Sequence, residues 1–272
     1  MKTIQAGDVK IGHGEGLCVI AGPCTLESYD LCMTIGEAVK TKCDSLEMGY
    51  IFKASFDKAN RSSIHTPRGM GIDEGLRQLE KIGVALGVPT TTDVHESYQA
   101  AQVGGVVDVI QIPAFLCRQT DLLVAAAKTG KVVNVKKGQF LSPAEMENVV
   151  NKLSESGADQ SGIMLTERGT FFGYNRLVND FVGLGDMMEY GWPVCFDVTH
   201  STQQPGGEGN ASGGRPERAP LLAKCAVAAG VQAVFIETHT DPSHAMSDGA
   251  TMLPLERSLG LLDELARLRA AI

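Results

Sequence analysis

Eight short apolar runs recur along the chain, each separated from the next by a longer stretch of mixed polarity: Leu17–Ala21, Leu46–Phe52, Pro89–Thr92, Val106–Gln111, Val132–Val135, Gly162–Thr166, Pro193–Val198 and Ala233–Glu237. Runs of this length rich in β-branched residues predict strands. The intervening segments carry the helical period instead, with Leu76, Leu79, Ile82 and Leu86 on one face, and Leu255, Leu259, Leu262 and Leu265 on another. Ser142-Pro143-Ala144-Glu145 combines a capping box with proline at the first helical position, which marks a helix start. Strict alternation of strand and helix, without a linker or low-complexity break, predicts one (β/α)₈ TIM barrel over residues 1–272. An open doubly wound sheet is the competing arrangement, but no glycine-rich dinucleotide turn follows the first strand. Ahead of that strand, Thr3–Ile11 is expected to form a short hairpin around Ala6-Gly7-Asp8 that closes the barrel floor.

At 272 residues and 43% hydrophobic content, the chain can bury a large core. A net charge of -8 argues against nucleic acid or an anionic membrane as a general surface partner, so basic clusters in this acidic chain are read as local anion pockets. The seven cysteines are odd in number and mostly sit in apolar surroundings. They predict reduced thiols rather than a disulfide framework. No signal peptide and no apolar stretch near eighteen residues is found, so a soluble, cytoplasmic protein is expected.

Barrel chemistry gathers at the carboxyl ends of the strands. In order, those ends carry Cys24, Lys53 with Ser55, Asp93 with His95, Gln111, Lys136 with Lys137, Arg168, His200 and Glu237. The densest segment is Lys53-Ala54-Ser55-Phe56-Asp57-Lys58-Ala59-Asn60-Arg61-Ser62-Ser63, with three cations and three hydroxyls in eleven residues. Lys53, Lys58, Arg61, Lys136 and Arg168, if they converge, can neutralise two anionic groups. Taken singly, each would more commonly end in a surface ion pair. Cys24, His200, Glu237 and Asp248 offer a thiolate, an imidazole and two carboxylates, a donor set suited to Zn²⁺, Fe²⁺ or Mn²⁺. Their spacing matches no compact zinc motif, and a lone cysteine is more often core. Position favours a ligand, because strands one, seven and eight adjoin in a closed barrel. The remaining cysteines are read as core, and His13, His65, His239 and His244 as loop residues. Two long loops, Gln204–Gly214 and Thr238–Thr251, are candidate lids.

These residues fall within motifs that run along essentially the whole chain: Ile20-Ala21-Gly22-Pro23-Cys24, Phe52 through Ser63, Thr92-Asp93-Val94-His95, Gln111-Ile112-Pro113-Ala114-Phe115-Leu116, Val135-Lys136-Lys137-Gly138-Gln139-Phe140, Thr166-Glu167-Arg168-Gly169, Phe196-Asp197-Val198-Thr199-His200-Ser201, Ile236-Glu237-Thr238-His239 and Ser247-Asp248-Gly249. In them the chain resembles the 3-deoxy-D-manno-octulosonate 8-phosphate synthases. The Lys-Ala-Asn-Arg-Ser-Ser stretch is the most specific, since the related heptulosonate 7-phosphate synthases carry a Lys-Pro-Arg-Thr-Ser type of motif there. The resemblance implies condensation of phosphoenolpyruvate with arabinose 5-phosphate and release of phosphate, in lipopolysaccharide assembly. It further implies that Lys53, Ser55, Lys58, Gln111, Lys136 and Arg168 hold phosphoenolpyruvate. Asn60, Arg61 and Ser62 would hold arabinose 5-phosphate, Arg61 and Ser62 from a neighbouring subunit of a homotetramer, with Arg118 also serving the sugar phosphate. Cys24 stands where the family's metal-independent branch has asparagine, which implies one divalent ion per subunit. Lys58, Asp93 and His95 are the candidates for proton transfer. Val198 and Ala250 depart from the commonest pattern, and neither is an expected ligand.

Overall fold

The computed structural model describes residues 1–61, 64–205 and 213–272. The eight apolar runs form parallel strands: β1 Cys18–Gly22, β2 Gly49–Lys53, β3 Thr90–Asp93, β4 Val109–Ile112, β5 Val132–Lys136, β6 Ile163–Glu167, β7 Val194–Asp197 and β8 Ala233–His239. Each is followed by a helix: α1 Tyr29–Ser45, α2 Ile72–Leu86, α3 Gln99–Gly104, α4 Thr120–Ala127, α5 Met146–Leu153, α6 Phe181–Glu189, α7 Ala219–Ala228 and α8 Leu255–Arg269. Strands pair in chain order. The ring closes where β8 joins β1, from Ala233↔Cys18 to Glu237↔Gly22. Closure excludes the open sheet and makes the fold a (β/α)₈ barrel. Nearly every strand residue is buried, which explains why most of the runs are apolar on both faces rather than alternating: helices cover one face and the barrel core fills the other.

The helices bury the faces their sequences mark. Leu76, Leu79, Ile82 and Leu86 of α2 are buried, and the helix stops at Gly87, whose left-handed φ of 63° ends it without a Cβ penalty. In α8, Leu262 and Leu265 are buried, while Leu255 and Leu259 are half-buried and Leu261 joins the contact face. The capping box forms, with the Ser142 N–H donating to Glu145 Oε2 at 3.0 Å ahead of α5. The N-terminal hairpin pairs Ile4–Ala6 with Val9–Ile11 and turns at Gly7, φ 57°. Its Ile4 side chain lies against Gly162 at the amino end of β6, which places the hairpin under the barrel.

Two expected strands begin late. Leu46–Met48 completes the end of α1, and Val106–Asp108 leads out of α3; both segments are apolar because they seat helix ends on the core. Among the cysteines read as core, Cys225 is exposed: the buried face of α7 is Ala219, Pro220, Ala223, Ala226 and Val227, and Cys225 lies off it. All seven cysteines are unpaired. No helix of the described residues is long and apolar enough to cross a membrane.

Candidate active site

At the carboxyl rim, β1 and β2 approach unusually closely. A Cβ on Gly22 would lie 2.1 Å from the Lys53 carbonyl oxygen, so only glycine permits the spacing. The pairing continues past both strands, with the Ser55 N–H donating to the Cys24 carbonyl at 3.2 Å and the Leu26 N–H to the Ser55 carbonyl at 3.0 Å. Cys24 and Ser55 are thereby held side by side by backbone bonds.

Cys24, Glu237 and Asp248 each offer a ligand atom within 4.8 Å of the others. Cys24 Sγ donates to Asp248 Oδ2 at 3.1 Å. Asp248 occupies the left-handed region at φ 53°, held there because its carbonyl accepts from the Thr251 and Met252 N–H groups and from Thr251 Oγ1. Aspartate is among the side chains that tolerate this region, so the turn can keep Asp248 there. His200, the fourth expected ligand, stands beside this trio with Nε2 3.7 Å from Glu237 Oε2. That glutamate oxygen is buried and has no hydrogen-bond partner among the described residues. Burial, and next the nearby Glu237 carboxylate, push the Cys24 thiol well above its usual range. A thiol held protonated against two carboxylates, beside an unpartnered buried oxygen, is a donor set that a divalent cation fits, because the ion would stabilise the thiolate and satisfy the oxygen.

Glu237 also faces the cations. Lys53 Nζ lies 3.3 Å from Glu237 Oε1 and 3.7 Å from Asp93 Oδ1, and Lys58 Nζ lies 3.9 Å from Glu237 Oε1. Ser55 is the hub between them. Its Oγ accepts from Lys53 Nζ at 2.8 Å and from Lys58 Nζ at 3.0 Å, and donates its own proton to Asp93 Oδ1. His95 Nε2 meets the other Asp93 oxygen at 2.9 Å. Lys136 Nζ donates to Asp197 Oδ2 at 2.6 Å and sits 3.7 Å above the Phe235 ring. Arg168 donates through Nη2 to Gln203 Oε1 at 2.5 Å, while its Nη1, like Gln111 Oε1, is buried without a partner among the described residues.

Buried charges of this kind persist only when paired. Burial opposes the charge on Asp93, but Lys53, His95 and Lys58 outweigh it and hold the carboxyl far below its usual range. Burial likewise opposes the Lys58 charge, and the carboxylates of Glu237, Asp93 and Asp248 outweigh it and raise its pKa above the usual lysine value. For Lys136 burial prevails over Asp197 and the pKa falls. An orphaned guanidinium nitrogen, Arg168 Nη1, beside the buried ammonium groups of Lys53 and Lys136 offers an anion a donor, while the orphaned Glu237 oxygen suits a cation.

The expected site residues Cys24, Lys53, Ser55, Lys58, Asp93, His95, Gln111, Lys136, Arg168, His200, Glu237 and Asp248 all lie on this rim, most of them in one contact network. Arg61, expected to serve a neighbouring subunit, bonds within its own chain to Ser247 Oγ at 2.7 Å and to the Pro67 carbonyl, beside Asp248. Asn60 is exposed. Arg118 is exposed and borders a cleft with Glu145 and Lys152 outside the network. Ser62 and the 206–212 part of one candidate lid lie outside the described residues. Lys137, named with the rim cations, is turned away from it toward Glu167, Thr170 and the Leu141 carbonyl.

Three residues were missed in sequence. Asp197 ties Lys136 to His200, Glu167 Oε1 accepts from the Arg168 and Gly169 N–H groups, and Glu27 Oε1 accepts from the Met246 N–H to hold the segment bearing Asp248. Asp197 had a signal, lying three residues before His200 at a strand end. Glu27 had none, because its partner is 219 residues away.

A family model described as the DAHP synthetase I family matches residues 1–271. The chain is 54% identical over 265 residues to a 2-dehydro-3-deoxyphosphooctonate aldolase of Cyanothece sp., covering 97% of this chain and 96% of that protein. Proteins of the same name from Trichlorobacter lovleyi and Koribacter versatilis are 52% identical over 271 residues and 54% identical over 275 residues. Both alignments cover 100% of this chain, with 99% and 98% of those proteins.

Proposed function

The chain belongs to the DAHP synthetase I family, and from that premise we propose that it is a 3-deoxy-D-manno-octulosonate 8-phosphate synthase, the enzyme also called 2-dehydro-3-deoxyphosphooctonate aldolase. It condenses phosphoenolpyruvate with D-arabinose 5-phosphate and water, releasing phosphate, in lipopolysaccharide biosynthesis. The observation that carries the reading is the double role of Glu237. One oxygen faces Lys53 and Lys58 while the other faces His200 beside Cys24 and Asp248, so the metal-capable cluster and the anion-binding cations share one spot.

The substrates bring a carboxylate and two phosphates together, which repel at close approach. Lys53, Lys136 and Arg168, with Gln111, would bind phosphoenolpyruvate, and Arg168 Nη1, unpartnered among the described residues, is free to donate to it. Holding the enol carbon against the aldehyde lowers the entropic barrier. The balance of atoms requires C3 to bond the aldehyde carbon and water to add at C2, followed by C–O cleavage that expels phosphate. Lys58 would stabilise charge developing on the aldehyde oxygen, and Asp93 with His95 would form a pair able to move a proton through Ser55, a role supported by the bonds among these residues. Cys24, His200, Glu237 and Asp248 would hold one divalent ion, which when bound supplies polarisation or orientation of an oxygen ligand. Asn60, Arg61 and Ser62, with Arg118, take the sugar phosphate in this reading.

We further infer a cytoplasmic homotetramer. The unpaired cysteines support a reducing compartment. Self-association is supported by Phe115, Phe140, Phe171, Phe172 and Tyr174, all more than half exposed on three adjoining rim loops.

The test is phosphate release from phosphoenolpyruvate with arabinose 5-phosphate or erythrose 4-phosphate, before and after chelation. Release with arabinose 5-phosphate, lost on chelation and restored by Mn²⁺ or Zn²⁺, is expected. Preference for erythrose 4-phosphate would make the protein a heptulosonate synthase, and no release with either aldehyde would leave a binding protein.

A further inference from the structure

We propose that Asp197 is a positioning residue that locks the tautomer of His200, leaving Nε2 as the open, metal-directed nitrogen; the inference rests on the reading of His200 as a ligand. Three donors converge on this fully buried carboxylate. His200 Nδ1 lies 2.8 Å from Oδ2, the His200 backbone N–H donates to Oδ1 at 2.9 Å, and Lys136 Nζ donates to Oδ2 at 2.6 Å. An ionised carboxylate only accepts, so Nδ1 must carry hydrogen where it meets Oδ2. In the neutral imidazole the lone pair is then on Nε2.

The second observation is what Nε2 faces. It points at Glu237 Oε2, 3.7 Å away, and that oxygen is buried without a hydrogen-bond partner among the described residues. A lone pair and an unpartnered carboxylate oxygen aimed at each other leave a place for a cation, not for a hydrogen bond. Fixing the tautomer of a metal-directed histidine through its other nitrogen is a general function of such carboxylates. Here the same oxygen also anchors Lys136, so the imidazole and a substrate-facing ammonium take their positions from one atom.

Asparagine cannot replace this carboxylate. It has one accepting oxygen and one donating nitrogen, whereas donors occupy both oxygens of Asp197. With its nitrogen toward His200 Nδ1, the amide is accommodated only if Nδ1 accepts, which moves the hydrogen to Nε2 and closes it to the metal. With its nitrogen toward the His200 N–H, two donors collide and the turn after β7 is displaced.

The experiment uses the full chain with ¹⁵N-labelled histidine, stripped of metal and held at mildly alkaline pH. The His200 resonance is identified by its loss in His200→Gln. Wild type is expected to show the Nδ1–H form, and Asp197→Asn to lose it. Zn²⁺ affinity, from competition with a chromophoric chelator, is expected to fall about 10- to 100-fold in Asp197→Asn. An Nε2–H tautomer in wild type overturns the inference, and so does wild-type Zn²⁺ affinity in Asp197→Asn. The wild-type tautomer decides the lock even if the variant does not fold. Wild-type protein that takes up no Zn²⁺ overturns the metal reading instead, while the tautomer still reports on the lock.

Discussion

Replacing Glu237 by glutamine removes the charge on which the rim's contacts turn and leaves the side chain's size unchanged. Burial opposes ionisation of Glu237, but His200, then Lys53, Lys58 and Lys136, outweigh it and hold the pKa down to about 2, against 4.5 for an unperturbed glutamate. At 1.36 kcal/mol per pKa unit, this corresponds to about 3 kcal/mol of stability in the metal-free protein. The sign follows from the direction: the contribution is present in full above the unfolded value and is lost as pH falls through the folded value. Urea denaturation of metal-free wild type and Glu237→Gln, from about pH 5.5 to about pH 3, isolates it. Over that interval wild type is expected to lose about 2 kcal/mol more than the variant. Parallel pH profiles would refute the reasoning, because they would mean that the neighbouring cations do not bear on this carboxylate.

Cys24→Asn replaces a thiolate donor with a neutral amide and should lower bound metal in elemental analysis of purified protein; unchanged content removes Cys24 from the ligand set. Arg61→Ala should raise the KM for arabinose 5-phosphate by about tenfold or more, the worth of a charge-assisted hydrogen bond. The KM for phosphoenolpyruvate should stay within about twofold, since the variant leaves the other anion site intact; equal shifts would contradict the assignment. Gly22→Ala places a methyl 2.1 Å from the Lys53 carbonyl and must part β1 from β2. A loss of about 1–3 kcal/mol in urea denaturation is expected, and wild-type stability would show that the close approach is not needed.

The eight-fold alternation was legible along the chain because strand and helix faces are written as local periods, and a strand buried on both sides holds apolar residues and a few uncharged polar ones, such as Thr91 and Asn134, but no charge until it nears the rim. For the same reason Lys53, Lys136, Arg168 and Glu237 stood out: each ends an apolar run. Strand starts were less legible. Leu46 and Val106 are as apolar as strand residues because they seat helix ends on the same core. The turning of Lys137 away from the rim was also beyond reach, since neighbouring positions in a strand share composition but point to opposite faces.

What the sequence determined alone was the barrel and the inventory of donors and charges at its mouth. Which charges meet was decided in three dimensions. Glu237 faces Lys53 across 184 residues, Asp197 gathers Lys136 and His200 onto one oxygen, and Glu27 holds the segment bearing Asp248 from the far end of the chain. The physical reason is range: periodicity is set by neighbours a few residues apart, whereas the pairing of buried charges depends on ring closure, which brings β8 against β1.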